Sequence, residues 1–462
     1  GSILLPVYKN VFGLDAATLQ FYTMLIMTPW ALKPLLGLLS DLVRCGGYHK
    51  RWWLIQSLVL GCVGAGLSLL AFTQRAPLGL ALCFAAVSLQ VSMYDLMSEA
   101  HYSAVTRDNP KSGADIVTAA QGLQMAGALA AMSFVGILSD HEAFVPLLVV
   151  VFGLLLVPVV PTLLGWLPEE RAAAGRCLPE LVGREQLRRD RWMILVVALT
   201  GLAAPATSAL ANLGPSGGAG PIWALALSLV FTALSLTGAW LAFPPMLARV
   251  ATFRVLSTLA RPSIGAAMDY FYVAGPECLP GGPHFSYVYY VTIAGIIGSF
   301  TALLGVLVYQ QWLSGFRFRA VVMLTSLLRS LIGASDLILV LRLNVALGIP
   351  DSWAYLVGEA IMEPLISMLD YIPDSALLSK VVPVGMEGSA YAFMAGLSNF
   401  AWMISELSGA LIFDMAGVRT VVPCDFAALP WLVLACHVAI PAVVALPAAW
   451  FLIPNVGQRE EL

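Results

Sequence analysis

Ionisable side chains interrupt long apolar runs at Lys33, Asp95, Glu99, Arg261, Asp269, Arg329, Glu359, Glu363, Asp370, Asp374 and Glu406. Where such runs cross a bilayer, each charge costs at least about 2.5 kcal/mol on insertion scales. The charges that are retained therefore pair, line a water cavity or take part in moving a solute. Lys33 sits between Pro29 and Pro34, roughly 12 Å deeper along its helix than Asp41. It suits either a ligand carboxylate or acidic heterocycle, or an ion pair with Asp95 or Glu99. Asp95 and Glu99 are one turn apart, as are Asp370 and Asp374, so each pair shares a helix face. Neighbouring carboxylates can hold a proton, or they can form gate salt bridges with Arg51, Arg107, Arg319 or Lys380; the gate is the preferred reading. Glu363, immediately before Pro364, is the best single proton-site candidate, because a carboxylate at mid-bilayer depth resists ionisation. Its alternative is a static pair with Arg329. Arg261 and Asp269 bracket Pro262 and Gly265, which can open a helix backbone, and Arg261 is the expected substrate anchor. Glu406 is a further proton candidate, whereas Glu387 reads as a helix-start residue complementing the dipole.

The elements that position these groups are membrane helices. The chain is 59% hydrophobic and 11% charged, against roughly 25% charged in soluble domains. Spans are read near 1–9 (partial), 16–40, 52–73, 77–104, 112–139, 143–166, 191–212, 222–248, 251–274, 286–313, 319–343, 351–379, 386–414 and 428–453, about fourteen in all, each complete one long enough to cross a hydrocarbon core. Basic residues cluster at Arg44/Lys50/Arg51, Arg107/Lys111, 171–191, Arg249/Arg254 and Arg317/Arg319, while the loops NLGPSGGAGP and GPECLPGGPHFS contain none. The positive-inside rule makes the basic loops cytoplasmic. That rule holds equally with or without the pair 191–212 and 222–248, which enter and leave together.

An internal repeat divides the chain. GLLSDLVRCGGYHKR (Gly37 to Arg51) aligns without gaps to GVLVYQQWLSGFRFR (Gly305 to Arg319), and MYDLMSEA aligns to MLDYIPDS, so Asp95 and Glu99 correspond to Asp370 and Asp374. Self-similarity at half the chain length marks two homologous six-helix bundles, with a substrate site between them near the bilayer midplane. The expected organisation is an N-terminal bundle at 1–166, a cytoplasmic loop at 167–190, an inserted helix pair at 191–250, a C-terminal bundle at 251–453 and a tail at 454–462.

GLLSD followed by a short basic loop resembles the signature of major facilitator transporters between their second and third helices, with Asp41 as the acidic residue and Lys50 and Arg51 as the basic ones. PWALKPLLGLLSD, RPSIGAAMDYFY and VVPVGMEGSAYAFMAGLSN together are similar to the pattern of folate-biopterin transporters of protozoa, plants and cyanobacteria, over Tyr8 to Phe413. The ECLPGGPHFS loop resembles the kinetoplastid branch most. The resemblance implies an all-α polytopic membrane protein of the major facilitator fold. By the same token it implies a monomer of the plasma membrane that imports folate or pteridines, coupled to protons. Relatives also carry other cargoes, such as S-adenosylmethionine, and that is the runner-up. Three buried bases, Lys33, Arg261 and Arg329, favour the anion. A pteridine is a flat polar ring that aromatic faces can clamp. Tyr94, Tyr270 and Tyr391 are the expected contacts, with Asp269 reading an edge, and Tyr272 and Trp402 are also available. Asp41, Arg51, Asp95, Glu99 and Arg107 are the expected gate.

Other classes find little support. Net charge is close to balanced and no basic patch is interleaved with aromatics outside the loops, which sets nucleic acid aside. The seven cysteines show no ligand spacing, so neither a metal nor a cofactor is expected. Cys278 and Cys424 both fall in loops read as external, where they can form a disulfide. No catalytic motif is present, so the chain does not read as an enzyme. His437, well inside a helix, reads as a satisfied core residue. A nutrient receptor on a transporter fold is the alternative from another class.

Overall fold

The computed structural model describes residues 3–44, 47–48, 50–108, 110–166, 169, 180–181, 191–212, 219–381 and 387–458. The arginine-rich stretch 171–179 and 182–189 and the side chains of Arg107 and Tyr391 lie outside the described residues.

Helices occupy almost all of the described chain: α1 (4–11), α2 (Ala16–Leu42), α3 (Arg51–Thr73), α4 (Pro77–Asp108), α5 (Pro110–Asp140), α6 (Phe144–Leu164), α7 (Arg191–Asn212) and α8 (Gly220–Ala242). They continue with α9 in two pieces (Pro245–Leu259 and Gly265–Tyr272), α10 (Val288–Leu313), α11 (Phe318–Val340), α12 (351–381), α13 (Glu387–Met415) and α14 (Leu429–Leu452). Among the described residues, ten of these spans are long and apolar enough to cross a membrane. The two inserted helices α7 and α8 are among them. The turn before α9 falls at Phe243–Pro244 rather than near 248–251, because the paired prolines Pro244 and Pro245 stop one helix and start the next. Arg249, which falls between the spans read at 222–248 and 251–274, therefore lies inside α9 together with Arg254.

The pieces of α9 are separated at 260–264, where Pro262 removes an amide and biases the preceding residue away from helix. Backbone groups exposed by such a break need partners in a membrane. Here they come from α13 and α2: Ser405 Oγ donates to Arg261 O (2.5 Å), Ser263 N donates to Ser405 O (2.9 Å), and Gln20 Nε2 donates to Ser263 O (2.6 Å) and Glu406 O (2.7 Å). Gly409 lies against this break, and a Cβ there would sit 1.7 Å from the Ser263 carbonyl oxygen.

The N-terminal half (α1–α6) and the C-terminal half (α9–α14) meet tightly at the end opposite the basic loops. There Lys9 Nζ donates to Val273 O (2.5 Å), Tyr270 OH to Leu14 O (2.5 Å), Tyr287 OH to Asn10 Oδ1 (3.0 Å) and Ala16 N to Thr420 Oγ1 (2.9 Å). Asp140 accepts from Tyr287 N (2.7 Å) and Val288 N (2.9 Å), a carboxylate placed on the positive start of α10. A continuous apolar core backs this seal, with Tyr8, Leu147, Tyr270, Phe271 and Phe413 nearly or fully buried. A disulfide joins Cys278 to Cys424, tying the loop after α9 to the loop before α14. The inserted pair packs beside the joint between the halves, α7 against α2 and α13, α8 against α13 and α9. The small residues Ala31, Ala203, Ala204 and Ala224 let these helices approach closely, the usual basis of helix association in lipid.

Candidate functional site

A cavity of about 550 Å³ lies between the halves, within the range of small-molecule sites. Met125, Ala128 and Met132 of α5 form one wall, and Asp269, Tyr290, Tyr355, Glu359 and Pro364 of the C-terminal half form the other. Its described lining contains two carboxyls and no basic side chain. Tyr290 donates its hydroxyl to Asp269. Tyr272, Tyr355, Tyr289 and Phe285 pack around that pair with ring centroids 4.8–6.1 Å apart. The acid end of the cavity is thus also its aromatic end.

Behind Glu359 lies a second layer. Asp336 of α11, 4% exposed, accepts from Tyr272 OH (3.3 Å) and pairs with His437 Nδ1 of α14 (2.7 Å). The Asp336 and Glu359 carboxyls are themselves within hydrogen-bonding reach of each other. Toward the basic-loop end the chain of charges continues. Arg329 lies 3.9 Å from Glu363 and 3.2 Å from Asp370, and Thr325 Oγ1 donates to Asp370 (2.8 Å). Arg254 Nε donates to Asp374 (2.5 Å) and its Nη1 reaches Ser398 Oγ (3.3 Å).

Several expectations change when the side chains are placed. Lys33 is 4% exposed and bonded to Asp95, with Glu99 at 3.6 Å. It fills the ion-pair alternative and does not face the cavity. Asp95 and Glu99 meet Lys33 instead of Arg51, because α2 brings Lys33 directly under α4. Arg51 stays inside the N-terminal half, its amide and that of Lys50 bonded to the Glu169 carboxylate and its guanidinium to Leu163 O. Tyr94 shares a hydrogen bond with Thr162 and lines, with Arg51, a separate and mostly apolar cavity of about 310 Å³. Tyr270 is 1% exposed and spends its hydroxyl on the seal, so it is not available to a cargo. Trp402, 37% exposed, points out of the protein core. Arg329 pairs with Asp370 and approaches Glu363, the static arrangement. Asp41 lies exposed at the end of α2.

Of the remaining candidates, Asp269 lines the cavity, whereas Arg261 and Glu406 gather at the α9 break outside its described lining. Arg261, at the α9 break, has a buried Nε without a hydrogen-bond partner, and among the described residues no carboxylate forms an ion pair with it. Glu406, 9% exposed, sits beside the same break. Sequence reading missed Asp336, although a carboxylate inside GASDLILV carries the same signal that singled out the others. It also set His437 aside as a bland core residue, because its partner is remote in sequence.

The BT1 family model matches residues 4–461. The chain is 25% identical to probable folate-biopterin transporter 6 of Arabidopsis thaliana, over 98% of this chain and 79% of that protein. It is also 25% identical to the folate-biopterin transporter of Synechocystis sp., over 89% of this chain and 70% of that protein. Among solved structures, an auto-inhibited POT family peptide transporter superimposes with a TM-score of 0.61 at 14% identity, over 97% of this chain and 91% of that one. The nucleoside transporter NupG superimposes with a TM-score of 0.57 at 15% identity, over 97% and 93%. At such identities these two likenesses speak to the fold alone, and that fold is the major facilitator fold.

Proposed function

The chain belongs to the BT1 family, a family of membrane transporters and not of enzymes, and on that premise we propose that it imports folate, biopterin or both, by alternating access driven by protons. The observation that carries this reading is the cavity between the halves, with its tyrosine faces and its two carboxyls. A pteridine carries N–H donors along its pyrimidine edge, which Asp269 can accept while Tyr290 and Tyr355 stack on the ring. Arg261, with an unsatisfied donor at the α9 break, is the anchor for the carboxylates of a folate tail. The Lys33, Arg254 and Arg329 ion pairs lie toward the basic-loop end, which is cytoplasmic in this reading, and act as structural and gating bonds. Glu363, Asp370, Asp374 and Glu406 form the remaining acid supply for coupling. Of these, Glu363, Asp370 and Asp374 already lie within ion-pair reach of an arginine. A plasma-membrane location and a monomeric state complete the proposal.

S-adenosylmethionine is the second reading, favoured by one observation. The described cavity lining is acidic and aromatic without a base, which suits a sulfonium cation.

Uptake of labelled folic acid, biopterin and S-adenosylmethionine, measured in parallel by cells expressing this chain and its Arg261→Ala variant, tests both. Saturable folic acid uptake that falls by about tenfold or more in Arg261→Ala at equal membrane level, with biopterin uptake much less affected, is the expected result. Uptake of S-adenosylmethionine alone would replace the cargo. Uptake that ignores an imposed pH gradient would remove the coupling. No uptake of any of the three would favour a nutrient receptor.

A further inference from the structure

We propose that Asp336 and Glu359 hold one proton between them and that this shared proton, entering from the cavity through Glu359 and backed by His437, is the coupling proton. The inference rests on the proton-coupled reading above and assigns its holder. Two carboxyls within hydrogen-bonding reach in a dry interior require a proton, since one must donate for the other to accept. Glu359 opens on the cavity, whereas Asp336 lies behind it and is held on its far side by Tyr272 and His437. The arrangement is a path with an open end and a closed one.

The backbone is built around this cluster. Tyr290, Glu359 and His437 each lie in a π-helical stretch, Val288–Ile293, Leu356–Met362 and Leu434–Ala439 respectively. Such widened turns occur mostly as interruptions at functional positions. Glycines let α11, α12 and α14 close on the cluster: a Cβ on Gly333 would meet His437 at 2.7 Å, and one on Gly358 would meet Ser335 Oγ at 2.8 Å.

The groups facing the pair decide its charge. From α9 come Tyr272 and, beyond it, Asp269; from α12 itself comes Glu363. Tyr290 of α10 is engaged by Asp269. Arg261 of α9 and Arg329 of α11 act on His437 from the basic-loop side, and α5 contributes only apolar side chains to the cavity wall. With the proton bound, the pair carries a single negative charge, and the cavity can close over it. Without the proton, two adjacent carboxylates repel and require water, which holds the cavity open. Proton occupancy thereby biases the two states that alternating access needs.

Two readouts on the purified, reconstituted full chain test this. In infrared difference spectra between neutral and alkaline buffer, the wild type is expected to show a protonated-carboxyl band that disappears in both Glu359→Gln and Asp336→Asn. In proteoliposomes with labelled folic acid, Glu359→Gln is expected to keep counterflow within about twofold of wild type and to lose about tenfold or more of its accumulation driven by a pH gradient. Glu359→Asp is expected to restore part of that accumulation. A band unchanged in both variants would overturn the proposal, as would gradient-driven accumulation at the wild-type level in Glu359→Gln. Loss of counterflow together with accumulation, in a variant that melts like the wild type, would make Glu359 a cargo or structural residue and would equally overturn it. A wild type that exchanges folic acid but ignores the gradient would instead sink the coupling reading itself. The infrared band would then mark a structural proton without a role in transport.

Discussion

Gly409→Ala is expected to leave little or no folded protein in the membrane, while Gly66→Ala, a methyl added in open space on α3, is expected to change stability by no more than about 0.5 kcal/mol. The contrast follows from what each methyl meets. At Gly409 the added carbon would lie 1.7 Å from the Ser263 carbonyl oxygen, with Ser263 C at 2.3 Å and Ser263 N at 2.7 Å. These are backbone atoms already fixed by Ser405 and Gln20, so no rotamer change relieves the clash. Pushing α13 off the α9 break would separate these backbone partners as well, and the cost should exceed the roughly 3 kcal/mol of ordinary overpacking. Thermal unfolding in detergent, with membrane abundance as a second readout, checks both variants. A Gly409→Ala protein that melts with the wild type would show that this close approach is not required.

Lys33→Ala is expected to destabilise the protein by about 3 kcal/mol and to abolish uptake, and the triple variant Lys33→Ala/Asp95→Asn/Glu99→Gln is expected to recover most of the stability. Lys33 is buried between α2 and α4, and its removal strands two carboxylates that then repel each other. Asp95 and Glu99 retain partial exposure, 32% and 46% of their side chains, so water softens the loss and the figure lies at the lower end for a broken buried pair. Neutralising the acids removes the reason for the penalty. An anchor for cargo behaves differently: in that case the triple variant would melt normally and uptake would stay absent, while Lys33→Ala alone would cost no stability. Melting temperature and folic acid uptake, measured on the same preparations, separate the two.

The membrane class was legible from composition, since a chain that is 59% hydrophobic and 11% charged has no aqueous solution that buries it. The two inserted helices could be placed by length and hydropathy, and the loop disulfide Cys278–Cys424 was suggested by the position of both cysteines in loops read as external. The alignment of Gly37–Arg51 with Gly305–Arg319 announced two halves, because a repeated sequence folds into a repeated bundle. The turn at Phe243–Pro244 lies inside the apolar run read as a single span over 222–248, where hydropathy alone does not mark a break. In each of these cases the signal is local, carried by residues close together in the chain or repeated along it.

Partnership was not legible. Sequence alone nominated Lys33, Arg261 and Arg329 together as buried bases that favour an anionic cargo. The tertiary structure separates them: Lys33 meets Asp95, Arg329 meets Asp370, and Arg261 keeps an unsatisfied donor at a helix break. Asp336 and His437 lie on different helices far apart in the chain, and no periodicity within α11 or α14 says that the two faces meet. The cost of a charge in lipid makes each ionisable residue visible one at a time in the sequence. Which of them cancel one another depends on helix rotation and approach, set by glycines such as Gly333 and Gly409 and by π-helical turns, and only the packed structure decides that.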